Sequence, residues 1–127
     1  MKVHHIALVC QSEENADRFY QDILGLERIR SFTVSTELSK GCFGFDQSYQ
    51  AMTYVRDEMN FEVFVIDKPT VIHPRLHHVG LEVEDLRGFL EKCRQMQVEI
   101  AEVPKGERVI TMIKDFDGNV FEIKEKA

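Results

Sequence analysis

One short stretch occurs twice in this chain, and the repeat constrains the fold more than any other feature. The first copy is His4-His5-Ile6-Ala7-Leu8-Val9, and the second is His77-His78-Val79-Gly80-Leu81-Glu82-Val83. A second pair of matching segments follows them, Asn60-Phe61-Glu62-Val63 and Val120-Phe121-Glu122-Ile123. The histidines His5 and His78 lie 73 positions apart, and the glutamates Glu62 and Glu122 lie 60 apart. A doubled His segment and a doubled Glu segment imply two similar modules, because self-similarity at long spacing marks a repeated supersecondary unit.

Both His segments alternate with the period of a β-strand, whose successive side chains point to opposite faces. His5, Ala7 and Val9 share one face, with His4, Ile6 and Leu8 on the other. His78, Gly80 and Glu82 share one face, with His77, Val79, Leu81 and Val83 on the other. The aliphatic residues keep one parity in both copies and are expected to face a helix. His5 and His78 take the opposite face, each two positions before a very small residue, which leaves room beside the imidazole for an ion or a ligand. Glu62 and Glu122 likewise stand opposite the bulk of their strands, Phe61 and Val63 in one and Phe121 and Ile123 in the other.

The chain has 127 residues, enough for one domain of ordinary size or two small modules around a common sheet, and 43% hydrophobic residues suffice for a core. A net charge of −6 with no Lys/Arg tract argues against a nucleic-acid partner. No apolar run approaches the roughly 20 residues of a membrane span, and the N-terminus starts directly on a strand pattern with no signal-like run. Cys10, Cys42 and Cys93 have no Cys-x-x-Cys spacing, so a thiolate zinc site is unsupported. Reduced thiols and a cytoplasmic location are the expectation.

Along the chain, Met1 to Cys10 reads as a strand. Ser12 is an N-cap, followed by the helical stripe Ala16, Phe19, Tyr20 and Ile23, with Gly25 placed to end the helix. Leu26 to Thr36, Ala51 to Arg56 and Asn60 to Ile66 read as strands. The second module repeats the plan. Leu76 to Val83 is a strand and Asp85 an N-cap. Leu86, Phe89, Leu90 and Cys93 form a stripe, and Val98 to Val103, Arg108 to Lys114 and Val120 to Lys124 are strands, with Asp117-Gly118 a turn signal. Residues 67–76, with Pro69 and Pro74, are read as the connector. The span from His5 to Glu62 exceeds that from His78 to Glu122 by 13 residues, and the surplus lies in Glu37 to Gln50, read as a loop, a lid or an irregular strand.

Three motifs carry a family likeness. They are the entry His-His-Ile-Ala-Leu, the segment Ala16-Asp17-Arg18-Phe19-Tyr20-Gln21-Asp22-Ile23-Leu24-Gly25-Leu26, and the closing Asp115-Phe116-Asp117-Gly118-Asn119-Val120-Phe121-Glu122. With them the chain resembles the vicinal oxygen chelate superfamily, which includes glyoxalase I, methylmalonyl-CoA epimerase, extradiol dioxygenases and the bleomycin and fosfomycin resistance proteins. The resemblance implies an α+β fold for residues 1–127, with βαβββ modules at 1–66 and 77–127 forming a curved mixed sheet and helices on its convex face. It implies a divalent metal ion (Zn, Ni, Co, Mn or Fe) on the concave face, held by His5, Glu62, His78 and Glu122. It also implies a homodimer, since small members of the family combine modules from two subunits. A complete His/Glu/His/Glu set is most like glyoxalase I. Val9 departs from that pattern, because glutathione-using members often carry Arg there to hold a substrate carboxylate.

A lone strand histidine is more often a hydrogen-bonded structural residue than a ligand, and His4 and His77 keep that reading. Equivalent places in a repeat favour ligation for His5 and His78. Glu62 and Glu122 are expected to be buried, where a carboxylate needs a partner such as a cation. Two imidazoles and two carboxylates suit a hard or borderline ion and leave coordination places for substrate oxygens. The expected activity is that of a metal-dependent lyase or isomerase on a small molecule, with proton transfer through a metal-bound enediolate, Glu122 as base and Glu62 as its pseudo-symmetric partner. The alternatives are a methylmalonyl-CoA epimerase-like enzyme and a non-catalytic binding or resistance protein of the same fold. Glu82 is expected at a solvated edge, and Cys10, Met52, Phe64, Cys93 and Met112 are expected in packing roles.

Overall fold

The computed structural model describes residues 2–67 and 76–127. Most of the expected connector, including Pro69 and Pro74, lies outside them. The chain divides into two compact units after residue 70. Each is described by itself.

In the first unit, β1 (Ile6–Cys10) leads into α1 (Glu13–Ala16), which runs on without a break as a π-helix over Asp17–Ile23. Then come β2 (Glu27–Val34), α2 (Thr36–Phe43), β3 (Tyr49–Arg56) and β4 (Met59–Val65). The sheet order is β1-β4-β3-β2, with β1 parallel to β4 and the other pairs antiparallel. Ser12 caps the first helix by accepting from the Asn15 N–H at 3.1 Å. Phe19, Tyr20 and Ile23 face the sheet together, and all three are buried. Tyr20 stacks on Tyr54 at 5.3 Å between ring centroids and lies 5.7 Å from Phe61. Cys10, Met52 and Val63 complete this core, so the packing expected of Cys10 and Met52 is observed. Gly25 ends the π-helix at φ 75°, as its position predicts.

A polar network seals the same layer. The Tyr54 hydroxyl donates to Asp17 Oδ1 at 2.7 Å, and Arg28 donates to Asp17 at 3.3 Å and also to Glu13. Burial, followed by the hydrogen bond to Asp17, raises the Tyr54 pKa, so the phenol keeps its proton.

The first half of the surplus segment is helical, where Glu37 to Gln50 reads from the sequence as a loop, a lid or an irregular strand, and its last two residues open β3. Ser35 caps α2 by accepting from the Leu38 N–H at 3.2 Å, and Gly44 ends it at φ 69°. The apolar stripe that signals a helix is missing, because Leu38 and Phe43 are exposed and only Ser39 is buried.

In the second unit, β5 (His78–Val83), α3 (Leu86–Gln95), β6 (Glu99–Lys105), β7 (Arg108–Lys114) and β8 (Val120–Glu125) form a sheet of order β5-β8-β7-β6. β5 and β8 are parallel and the remaining pairs antiparallel. Asp85 caps α3 by accepting from the Gly88 N–H at 3.0 Å. Leu90 and Cys93 of the predicted stripe are buried, with Ile113, Phe121 and Ile123 on the sheet. Asp115 organises the connection before β8. It accepts from the N–H groups of Asp117 (2.9 Å) and Asn119 (2.8 Å) and from Asn119 Nδ2 (2.7 Å). The Asp117-Gly118 signal therefore belongs to a five-residue carboxylate-held turn, which accounts for the Asp-Phe-Asp-Gly-Asn motif.

The repeat is thus real in three dimensions, with βαβββ in each unit and α2 inserted in the first. Each unit carries its own four-stranded mixed sheet. None of the described helices is long and apolar enough to cross a membrane.

Candidate functional site

Register places the four predicted residues in equivalent positions. Glu62 on β4 pairs with Ala7 on β1, and Glu122 on β8 pairs with Gly80 on β5. In each unit the histidine stands two residues before the small residue that faces the glutamate. Parallel partners share a face, so each His and Glu converge over a position with almost no side chain. His5 Nε2 lies 3.1 Å from Glu62 Oε2, and His78 Nε2 lies 3.7 Å from Glu122 Oε2.

The 3.1 Å separation fits two ligands on one cation, and the 3.7 Å separation is wider. Adjacent vertices of an octahedral ion, each about 2.1 Å from it, are about 3 Å apart. The second nitrogen of each ring is also engaged. His78 Nδ1 lies 2.9 Å from the Leu76 carbonyl. A carbonyl only accepts, so Nδ1 carries the proton, and in the neutral ring Nε2 keeps its lone pair toward Glu122. His5 Nδ1 lies 2.9 Å from His4 Nδ1, with the rings edge to face. The donor atoms of both pairs are of the kind a divalent ion takes. Among the described residues no group of three or more His, Cys, Asp or Glu gathers at one place, so each unit presents two candidate ligands.

Several expectations change here. The glutamates are half-buried, with side chains 22% and 24% exposed, where burial was expected. Their strands are interior to the sheets, but the facing Ala7 and Gly80 are too small to cover them. His4 and His77 are exposed, and neither is a core residue. His4 instead contacts His5, which parity alone conceals, because adjacent strand residues point apart and both histidines precede β1. Glu82 is solvent-exposed on β5, an edge strand, as expected.

Beside the first pair, the face that carries His5 and Glu62 opens into a cavity of about 320 Å³ lined by Ala7, Val9, Phe43, Phe45, Tyr49, Phe64 and Ile66. Val9 continues the His5 face along β1, and Phe64 continues the Glu62 face along β4. Phe64, expected in packing, is half-buried and forms a cavity wall. Phe43, at the end of α2, lies 6.0 Å from Phe64 between centroids, and Phe45 lies 6.0 Å from Tyr49. The inserted segment thus lends two aromatic rings to the cavity.

The superfamily model for glyoxalase, bleomycin resistance protein and dioxygenase matches residues 2–123. The chain belongs to this superfamily. Solved structures agree on the fold. A glyoxalase family protein from Bacillus cereus is 18% identical, with TM-score 0.77 over 98% of this chain and 93% of that one. A glyoxalase family protein from Enterococcus faecalis is 17% identical, with TM-score 0.75 over 96% and 95%. The fosfomycin resistance protein FosX from Listeria monocytogenes, as a mutant complexed with Mn(II) and 1S,2S-dihydroxypropylphosphonic acid, is 18% identical, with TM-score 0.71 over 97% and 88%. A comparison with curated proteins returns no match. The α+β fold expected from the sequence is that of the superfamily, whose members span glyoxalases, dioxygenases and resistance proteins.

Proposed function

We propose that this protein is a metal-dependent lyase or isomerase of glyoxalase I type, with a divalent ion held by His5, Glu62, His78 and Glu122. The observation that supports this most is the pair of matched His–Glu arrangements, at 3.1 Å and 3.7 Å, over a small residue in each repeat. A bound divalent ion supplies Lewis-acid stabilisation of the charge that develops on a substrate oxygen when an adjacent C–H proton leaves. The protein residues do the rest. His78 holds its Nε2 toward the site through the Nδ1–H bond to Leu76. Glu122, whose other carboxylate oxygen lies 3.7 Å from Lys124 Nζ, takes the substrate proton and returns it to the neighbouring carbon. Glu62 occupies the equivalent place in the first unit. The likeness of fold to a Mn(II)-binding FosX is consistent with a divalent ion, whose identity among Zn, Ni, Co, Mn and Fe is set by experiment.

Val9 stands on the wall of the apolar cavity and offers no cation to a glutathione carboxylate. That favours substrates other than glutathione adducts, with an acyl-CoA epimerase as the next reaction type. The cavity also supports a second reading, in which the protein sequesters an apolar small molecule and performs no chemistry.

Metal analysis of the purified protein, with His5→Ala and His78→Ala variants, tests the site. About one divalent ion per four ligands is expected, with loss of at least tenfold in affinity for each variant. Full metal in both variants overturns the assignment. A turnover screen of metal-loaded protein against hemithioacetals and acyl-CoA thioesters separates the enzyme from the binding protein, whose result is binding without turnover.

A further inference from the structure

The first unit carries a feature that the second lacks. In β2 the pairing with β3 slips between Arg28 and Arg30, so that Arg28 faces Tyr54 and Arg30 faces Thr53 while Ile29 is the extra residue. This is a β-bulge, and it turns over the parity of everything on one side of it. Arg28 points to the helix layer, where it meets Asp17 and Glu13. Without the bulge Arg30 would share that face, two residues further on. With it, Arg30 joins the opposite face. Thr53 pairs in turn with Glu62, and Glu62 with Ala7. Arg30, Thr53, Glu62 and Ala7 therefore form one row across the sheet, on the face of the His5–Glu62 pair. At about 4.8 Å per strand, Arg30 Cα stands about 10 Å from Glu62 Cα, within reach of one small substrate.

The corresponding row in the second unit reads Ala101, Met112, Glu122 and Gly80, and the pairing of β6 with β7 has no slip. The fold thus does not require a cation or a bulge at this place. Arg30 is solvent-exposed, and none of the described carboxylates forms an ion pair with it. Its guanidinium lies 4.3 Å above the Phe32 ring, and Phe32 packs with Phe45 and Phe64 around Val34, Tyr49, Ala51 and Ile66. Stacking on an aromatic face fixes the guanidinium while leaving its N–H edges open to a carboxylate or phosphate.

We propose that Arg30 is the anchor for an anionic group of the substrate, and that the substrate is an organic anion whose apolar portion occupies the cavity walled by Phe43, Phe45 and Phe64. This rests on the reading of His5 and Glu62 as metal ligands, and it names the substrate class for that site. The anion is a second group, distinct from the oxygens that would meet the metal.

The test uses the full-length protein loaded with Mn(II) and a medium-chain 2-hydroxy dicarboxylate, compared with the same molecule methylated on its distal carboxylate. Binding is followed by calorimetry. The wild type is expected to prefer the free acid about tenfold, in keeping with a charge-assisted bidentate contact. Arg30→Gln is expected to abolish the preference while retaining Mn(II) and the affinity for the methyl ester, and Arg30→Lys to restore part of it. Equal binding of acid and ester by the wild type, or a preference that survives in Arg30→Gln, overturns the proposal. Failure of the wild type to hold Mn(II) overturns the metal reading instead and is recognised before any ligand is added.

Discussion

At the scale of single residues, position within the repeat separates side chains that look alike in the sequence. His4 and His5 are neighbours, yet only His5 aims Nε2 at a carboxylate, while His4 holds its other nitrogen. The three thiols divide in the same way. Cys10 and Cys93 are buried and Cys42 is exposed. Burial pushes the Cys93 thiol from 9.0 up to about 11, against the lowering by Lys92 and Arg94. A raised thiol pKa means less thiolate at a given pH, and the thiolate is the nucleophile. Under native conditions near pH 8 an aromatic disulfide reagent is expected to label Cys42 rapidly. Cys10 and Cys93 are expected to react only as fast as the protein opens. Mass spectrometry of the labelled peptides checks this, and comparable rates at Cys42 and Cys93 would contradict the burial of Cys93.

At the scale of elements, α2 is the piece whose local chemistry and surroundings disagree most. It contains Gly41 in its interior and ends on Gly44. A Cβ at either position would meet nothing within 4 Å, so substitution tests the backbone alone. Gly44 has φ 69°, and Gly44→Ala is expected to cost about 1–2 kcal/mol, because a Cβ crowds the carbonyl in the left-handed region. Gly41→Ala is expected to stabilise by about 0.5–1 kcal/mol, since it removes freedom from the unfolded chain. Urea denaturation measures both, and equal effects would mean that the end of α2 is misplaced. The helix also delivers Phe43 to the cavity. Phe43→Ala is expected to leave metal content unchanged and to weaken binding of substrates with an apolar portion several-fold, with a smaller effect on stability because Phe43 is 62% exposed. Unchanged turnover on the best substrate would remove α2 from the site.

At the scale of the whole molecule, each unit supplies two of the four proposed ligands, and a divalent ion of the proposed kind takes more than two protein groups. Four ligands on one ion, as proposed, draw on residues of both units, from one chain or from two copies. We expect a homodimer, as in small members of the superfamily. Sedimentation equilibrium at micromolar concentration decides it, and a monomer that still binds metal with four-ligand affinity would count against the dimer. Removal of metal by a chelator is expected to lower the melting temperature, because a ligand that binds only the folded state stabilises it by mass action.

The doubled His and Glu segments, their parity, the caps at Ser12 and Asp85 and the stop at Gly25 are all local in origin, and they were enough to determine two βαβββ modules and the four candidate ligands. A strand's period is two and a cap's reach is three residues, so both are written in adjacent letters. Other features needed the tertiary structure. The π-helix over Asp17–Ile23 keeps the same buried residues as an α-helix and is set by packing on Tyr54 and Phe61. The helicity of α2 leaves no apolar stripe, because its partner is a cavity wall more than a core. Arg30 lies on the face of Glu62 because of one extra residue in β2, and a bulge is a mismatch between two strands, visible only when both are paired.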